Sequence, residues 1–144
     1  MSLPLPLRST IHRLPHDTRG TALIEMAITL PVLLMLIMGI VSYGDWFLSA
    51  HGVQQAANDG ARAAIAGMNA AERNTIAIAG VQTSLRRAGM LDPDKAAITI
   101  NDDGATLVVR LIYDASADPL LHMSLVPPPG TQIRRSAAIR LESL

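Results

Sequence analysis

The chain contains no cysteine, which excludes disulfides and thiolate metal sites and leaves its stability to packing or to assembly partners. Aromatic residues make up only 3% of it, and its twelve basic residues form no stripe. A nucleic-acid interface needs cationic tracks and stacking rings, so none is expected. No glycine-rich phosphate loop is present, and no serine sits in a glycine-flanked turn beside a base. The histidines add nothing: His12 and His16 precede Gly20, while His51 and His122 are isolated, without the helical spacing and acidic partner of a zinc site. Asp102-Asp103-Gly104 lacks the repeated oxygen ligands and terminal glutamate of a calcium loop and reads as a hairpin turn. No catalytic residue, cofactor or metal is therefore expected. The chain reads as the substrate of an enzyme more readily than as an enzyme.

One further absence organises the rest. From Met26 to Gly44 there are 19 positions with no charge, and only Thr29, Ser42 and Tyr43 are polar. A helix of about 20 apolar residues crosses a bilayer core. Before the run, residues 1–20 carry Arg8, Arg13 and Arg19 against Asp17, and the remainder of the 144-residue chain is net acidic. That asymmetry keeps the N-terminus in the cytoplasm and places the C-terminal part in the periplasm. Three of the four aromatic residues, Tyr43, Trp46 and Phe47, cluster at the outer end of the run, where amphipathic rings anchor a helix at headgroup level. Glu25 stands at the other end. It reads either as an interfacial carboxylate favoured by a helix N-terminus or as a functional intramembrane charge.

Gly20, four residues, Glu25 and then the apolar segment together resemble the processing site of type IV pilin-like proteins. Continued through Arg19-Gly20, Ala22, Glu25, Ala27, Pro31, the group from Gly44 to Phe47, Ala56-Ala57 and Gly60-Ala61-Arg62, the pattern resembles the TadE/TadF family. These are minor pseudopilins of the tight-adherence (Tad, Flp) pilus. Met26 departs from the aromatic residue common after the glutamate. The resemblance implies cleavage between Gly20 and Thr21 by a prepilin peptidase, and a mature helix in which Glu25 serves assembly. It implies as partners the major Flp pilin, a second TadE/TadF-like pseudopilin and the inner-membrane platform proteins. A final strand, Ser136 to Glu142, fits the family's usual ending.

Three parts are expected: a leader at 1–20, disordered and containing Pro4, Pro6 and Pro15; a transmembrane and extended helix at 21–67; and a small periplasmic domain at 68–144. Beyond the run, Ala50, Val53, Ala57, Ala61 and Ala64 recur at spacings of three and four, which makes a narrow small-residue stripe. Ala56, Ala57, Gly60, Ala61 and Ala64 read either as the face that covers a sheet or as a surface on which neighbouring helices pack closely. Gly67 is the expected helix stop. Asn69 and Glu72 frame a capping box, with Ile78, Val81, Leu85 and Ala88 as the buried face of a second helix that ends at Gly89. After an Asp92-Pro93-Asp94 turn the period becomes two: Ile98 and Ile100, a turn at Asn101 to Gly104, then Leu107, Val109, Leu111 and Tyr113. Residues 115–130 form a loop whose apolar part, Leu120 to Val126, covers a strand or docks a partner. Ile133, Ala137, Ile139 and Leu141 alternate in a last strand. The expected fold is α+β, a long N-terminal helix and a second helix packed with a small antiparallel sheet, as in pilin-like proteins.

Two other functional classes stay open at this point. One is an unprocessed bitopic membrane protein with a periplasmic binding domain. The other is a secreted enzyme or binding protein released after a conventional signal. The apolar core of such a signal is shorter, about 7 to 15 residues, and the nearest cleavage pattern, Leu48-Ser49-Ala50, lacks a small residue at its first position.

Overall fold

The computed structural model describes residues 18–119, 127 and 130–141. The chain divides into two compact units, residues 1–34 and 35–144. The described part of the first unit is the start of a single helix, α1 (Thr18–Ala64), which continues through Pro31. Proline is tolerated in apolar helices of this kind because neighbouring groups can re-satisfy the freed carbonyl. Every position from Gly20 to Ile37 is exposed. The expected leader ended at Gly20, but Thr18, Arg19 and Gly20 are already helical; the rest of that leader lies outside the described residues.

The second unit is α+β. It contains the C-terminal part of α1, then α2 (Ala70–Ala88), a short 3₁₀ turn (Pro93–Lys95), and the strands β1 (Ala96–Asp102), β2 (Thr106–Asp114) and β3 (Gln132–Arg140). The sheet is an antiparallel meander in the order β1-β2-β3. Alternation decides which face is buried. Leu107, Val109, Leu111 and Tyr113 of β2 point into the core together with Ile133 of β3, and Ile98 and Ile100 of β1 pack against them. The helical side of the same core supplies Ala50, Val53, Ala56, Ala57, Ala61 and Ala64 from α1, and Ala77, Val81 and Leu85 from α2. Both helices thus cover one face of the sheet.

The helix ends follow local chemistry, with two adjustments. The α1 helix stops at Ala64, three residues short of Gly67, and a turn closes it with Gly67 N donating to Ala64 O at 3.0 Å. Gly67 is required there for a steric reason. A Cβ on it would lie 2.6 Å from the backbone nitrogen of Arg73 and 2.8 Å from its Cα, so the approach of α2 to the turn depends on the missing methyl. Asn69 caps α2, its side chain accepting from Glu72 N at 2.9 Å. The reciprocal bond is shifted by one residue, since the Glu72 carboxylate accepts from Met68 N and not from the cap itself. Gly89 ends α2 with φ 68, a left-handed conformation that glycine adopts without penalty.

The buried seam of α2 runs Ala77, Val81, Leu85; Ile78 is half-buried and Ala88 exposed. The seam leads with Ala77 because α2 must meet α1 as well as the sheet. The β1–β2 turn begins two residues later than the spacing suggested, because Asn101 and Asp102 still pair with Val108 and Leu107. Gly104, with φ 83, makes the tight bend, and the Asp103 carboxylate accepts from Ala105 N at 2.9 Å. The last strand starts at Gln132, one residue before the expected Ile133 and four before the Ser136 of the family-like ending, because β2 offers partners as far as Asp114, which pairs with Gln132. Leu141 lies just past its end, and Glu142 lies outside the described residues, as does Leu120 to Val126.

One ion pair ties α2 to the hairpin: Arg73 Nε donates to Asp102 Oδ2 at 2.7 Å. Gly104 N donates to the other carboxylate oxygen at 2.9 Å. The Arg73 hydrogen bond, then the Gly104 N–H, hold the Asp102 carboxyl below the usual carboxylate range. A lowered folded-state pKa means that the unfolded chain binds the proton more readily. The stabilisation is therefore complete above the ordinary carboxylate pKa and is lost as pH falls through the lowered value. Asp102→Asn should lower the melting temperature at pH 7, with the gap to wild type closing below about pH 4. Thermal melts of both proteins between pH 7 and pH 3 measure this, and a gap that stays constant over that range would remove the ion pair as its cause.

Candidate functional site

The residues expected to matter fall into three groups along α1. The first is Gly20, Thr21 and Glu25. All three are exposed on the first turns of the helix, and Glu25 lies one turn after Thr21. Beyond its chain neighbours and its own helix backbone, no described atom comes within 4 Å of where a Gly20 Cβ would be. A glycine inside a helix costs about 1 kcal/mol relative to alanine, and here neither packing nor a left-handed backbone requires it. The first turn is weakened at this point without any structural return. The only ion pair among the described residues is Arg73–Asp102, so the Glu25 carboxylate enters none there.

The second group is Ala57, Gly60, Ala61 and Ala64. All four are buried within the second unit, where Ala57, Ala61 and Ala64 belong to the core shared with α2 and the sheet. Gly60 marks the closest approach of the two helices. A Cβ there would collide with Val81 Cγ2 and lie 2.9 Å from Ala77 O. From the other side, a Cβ on Gly80 would lie 3.0 Å from the Ala63 Cβ and 3.2 Å from Gly60 Cα. Two glycines therefore face each other where α1 crosses α2. The stripe is occupied by the chain itself, and these four positions are not on offer to another subunit in this conformation. Gly80 was not singled out in the sequence, because a lone glycine within a helical pattern does not reveal what it faces. Outside the crossing, Ser84 Oγ donates to Asp59 Oδ2 at 2.8 Å and Gln55 Nε2 donates to Asp59 Oδ1 at 3.0 Å.

The third group is Tyr43, Trp46 and Phe47. Tyr43 and Phe47 are exposed, whereas Trp46 packs against the core. Trp46 and Phe47 meet edge to face with centroids 5.3 Å apart, and the Arg135 guanidinium stands 6.0 Å over the Trp46 ring. Arg135 occupies an inward position of β3 between Ile133 and Ala137, and cation–π contact with a ring is a favourable end for a long side chain there. Tyr43 Oη donates to Pro127 O at 3.4 Å. Asp45, the first charged residue after the apolar run, shares a hydrogen bond with Asp118. Burial, then that hydrogen bond and the charge of Asp118, push the Asp45 carboxyl above its ordinary value. Arg135, Asp45, Asp118 and Pro127 were not readable as members of this group, since the contacts join residues more than 70 positions apart.

Among the described residues no group of three or more histidine, cysteine, aspartate or glutamate side chains is placed to hold a metal ion. A cavity of about 560 Å³ on the second unit is lined by Gln54, Thr99, Arg110, Arg134 and Ser136 among others; its lining includes no acid and no nucleophile–base pair.

An exposed apolar helix followed by a small α+β unit is the build of a protein anchored in a membrane by one helix, and α1 is long and apolar enough to cross one. The family model described as TadE-like protein matches residues 20–62. The matched stretch runs from Gly20 through the apolar segment to Arg62, so the chain carries a TadE-like segment there. No curated protein sequence and no solved structure matches the chain.

Proposed function

We propose that this protein is a minor pseudopilin that takes part in assembly of a Tad/Flp-type adhesive pilus, a structural component and not an enzyme. The carrying observation is the TadE-like match over residues 20–62, which includes an exposed Gly20 that packing does not require and a Glu25 one turn beyond Thr21. In this reading a prepilin peptidase cuts between Gly20 and Thr21. The scissile bond lies in the first turn of α1, and helix ends open at little cost, more so with a glycine in the turn. The leader stays cytoplasmic and the second unit is periplasmic. Cleavage leaves the Thr21 amine one turn from Glu25. In an apolar bundle the carboxylate is stabilised by pairing with the amine of an adjacent subunit, either the major Flp pilin or a second TadE/TadF-like pseudopilin. Inner-membrane platform proteins are the further partners.

Gly20→Leu should leave the full-length chain as the only form, whereas wild type should yield a chain beginning at Thr21. Intact mass and N-terminal sequencing from cells with and without the prepilin peptidase measure this. Mature protein beginning at Thr21 in the mutant would overturn the assignment. The continuous helix through Gly20 favours one competing reading, an unprocessed bitopic protein with a periplasmic binding domain. A single full-length mass for wild type in peptidase-positive cells would select it.

A further inference from the structure

The lower end of the second unit meets α1 at a level that the apolar run still occupies. Met38 and Gly39 are half-covered and Ser42 is only 2% exposed, while Ile40, Val41 and Tyr43 between and beside them stay open. The covered positions continue as Asp45, Trp46, Ser49, Ala50 and Val53, one face of one helix. Cover by the chain itself thus begins about 9 Å before the end of the uncharged run, six residues at about 1.5 Å each. Two described residues of the β2–β3 connection are fastened at this level, Asp118 to Asp45 and Pro127 to Tyr43. The exposed rings of Tyr43 and Phe47 lie here, and Arg135 over Trp46 brings a cation to the same place.

We propose that this end of the second unit is a lipid-headgroup seat, with Tyr43, Phe47, Arg135 and the anchored residues of the β2–β3 connection resting in the headgroup layer of the bilayer that α1 crosses. The inference rests on the reading of Met26–Gly44 as a membrane span. The occupant is a phospholipid surface because the patch continues the apolar run without a gap. It also has the composition of that layer: amphipathic rings that reach outward and an arginine at phosphate height. A protein partner at the same level would have to displace lipid from a helix face that is apolar immediately below it. The seat fixes the height of the sheet above the membrane.

The absence of cysteine makes site-specific labelling direct. Single cysteines at Pro127, at Pro119, at Ile37 in the apolar run and at Asp103 in the hairpin turn would carry nitroxide labels on the full chain in phospholipid vesicles. Collisions with oxygen, which enriches in lipid, and with a water-soluble nickel chelate report depth. The seat requires labels at Pro127 and Pro119 to lie between the two controls, with nickel accessibility at least threefold below that at Asp103. Full aqueous accessibility at both positions, with Ile37 lipid-exposed, overturns the seat and leaves the span intact. An aqueous Ile37 overturns the span itself. Independently of any label, the single tryptophan of the unlabelled protein should be quenched most by lipids brominated near the headgroup. Stronger quenching by bromines at the chain ends would also overturn the seat.

Discussion

Gly60→Leu should abolish folding of the second unit, and Gly60→Ala should weaken it by about 2 kcal/mol. At this crossing even a methyl group meets Val81 Cγ2 and the backbone oxygen of Ala77. A side-chain terminus could rotate away, but a carbonyl in the middle of α2 moves only if the helix moves. Moving α2 outward opens gaps around Val81 and Leu85, which are fully buried, and close-packed interiors lose dispersion contacts steeply as gaps open. Alanine gains about 1 kcal/mol of helix propensity over glycine, so the measured loss is what remains after that gain. Gly44→Ala is the control, because among the described residues nothing beyond its chain neighbours and its own helix backbone lies within 4 Å of its Cβ position; that variant should be neutral or slightly stabilised. Denaturant unfolding of the full chain in detergent, followed by Trp46 fluorescence, gives both numbers. Equal midpoints for Gly60→Ala and Gly44→Ala would show that the helices do not meet as described.

Glu25→Gln should lower recovery of subunit complexes by about two orders of magnitude while protein level and membrane insertion stay as in wild type. The side chain is exposed on α1 and, among the described residues, enters no ion pair. Removing its charge therefore breaks no described ion pair, and an apolar helix with one charge fewer inserts at least as well. The loss falls on assembly. An amine left buried without its carboxylate partner costs about 3 kcal/mol, and that is a factor of about 100 in association. Glutamine keeps the shape and a hydrogen-bonding oxygen, so it isolates the charge. The proposed cleavage after Gly20 should persist in this variant, because that proposal places the cut at the glycine and not at Glu25. Crosslinking in the membrane, immunoblots for level and processing, and counts of piliated cells are the measurements. Normal complexes and pili from Glu25→Gln would end the charge-pairing mechanism, and disappearance of the protein would show that the carboxylate supports stability instead.

The sequence by itself determined the features that act over a few residues. The uncharged run from Met26 to Gly44 makes an apolar helix whatever surrounds it, and the Asn69 cap, the left-handed Gly89 and the Gly104 turn are decided by backbone stereochemistry. The alternation of Leu107, Val109, Leu111 and Tyr113 specifies a strand with one buried face for the same reason. The Gly20–Glu25 spacing and the TadE-like pattern are also carried in one continuous stretch. Tertiary structure decided how the small-residue stripe is used. The spacing of Ala57, Gly60, Ala61 and Ala64 suits a sheet, a sister helix or another subunit equally, and only the position of Gly80 against Gly60 assigns it to α2 and the sheet. It likewise decided the start of β3, which follows from the length of its partner β2. The meeting of Trp46 with Arg135, of Asp45 with Asp118 and of Tyr43 with Pro127 was decided there too. Each of these pairs joins residues far apart in the chain. Their proximity follows from the packing of the helices on the sheet, and no periodicity or local propensity encodes it.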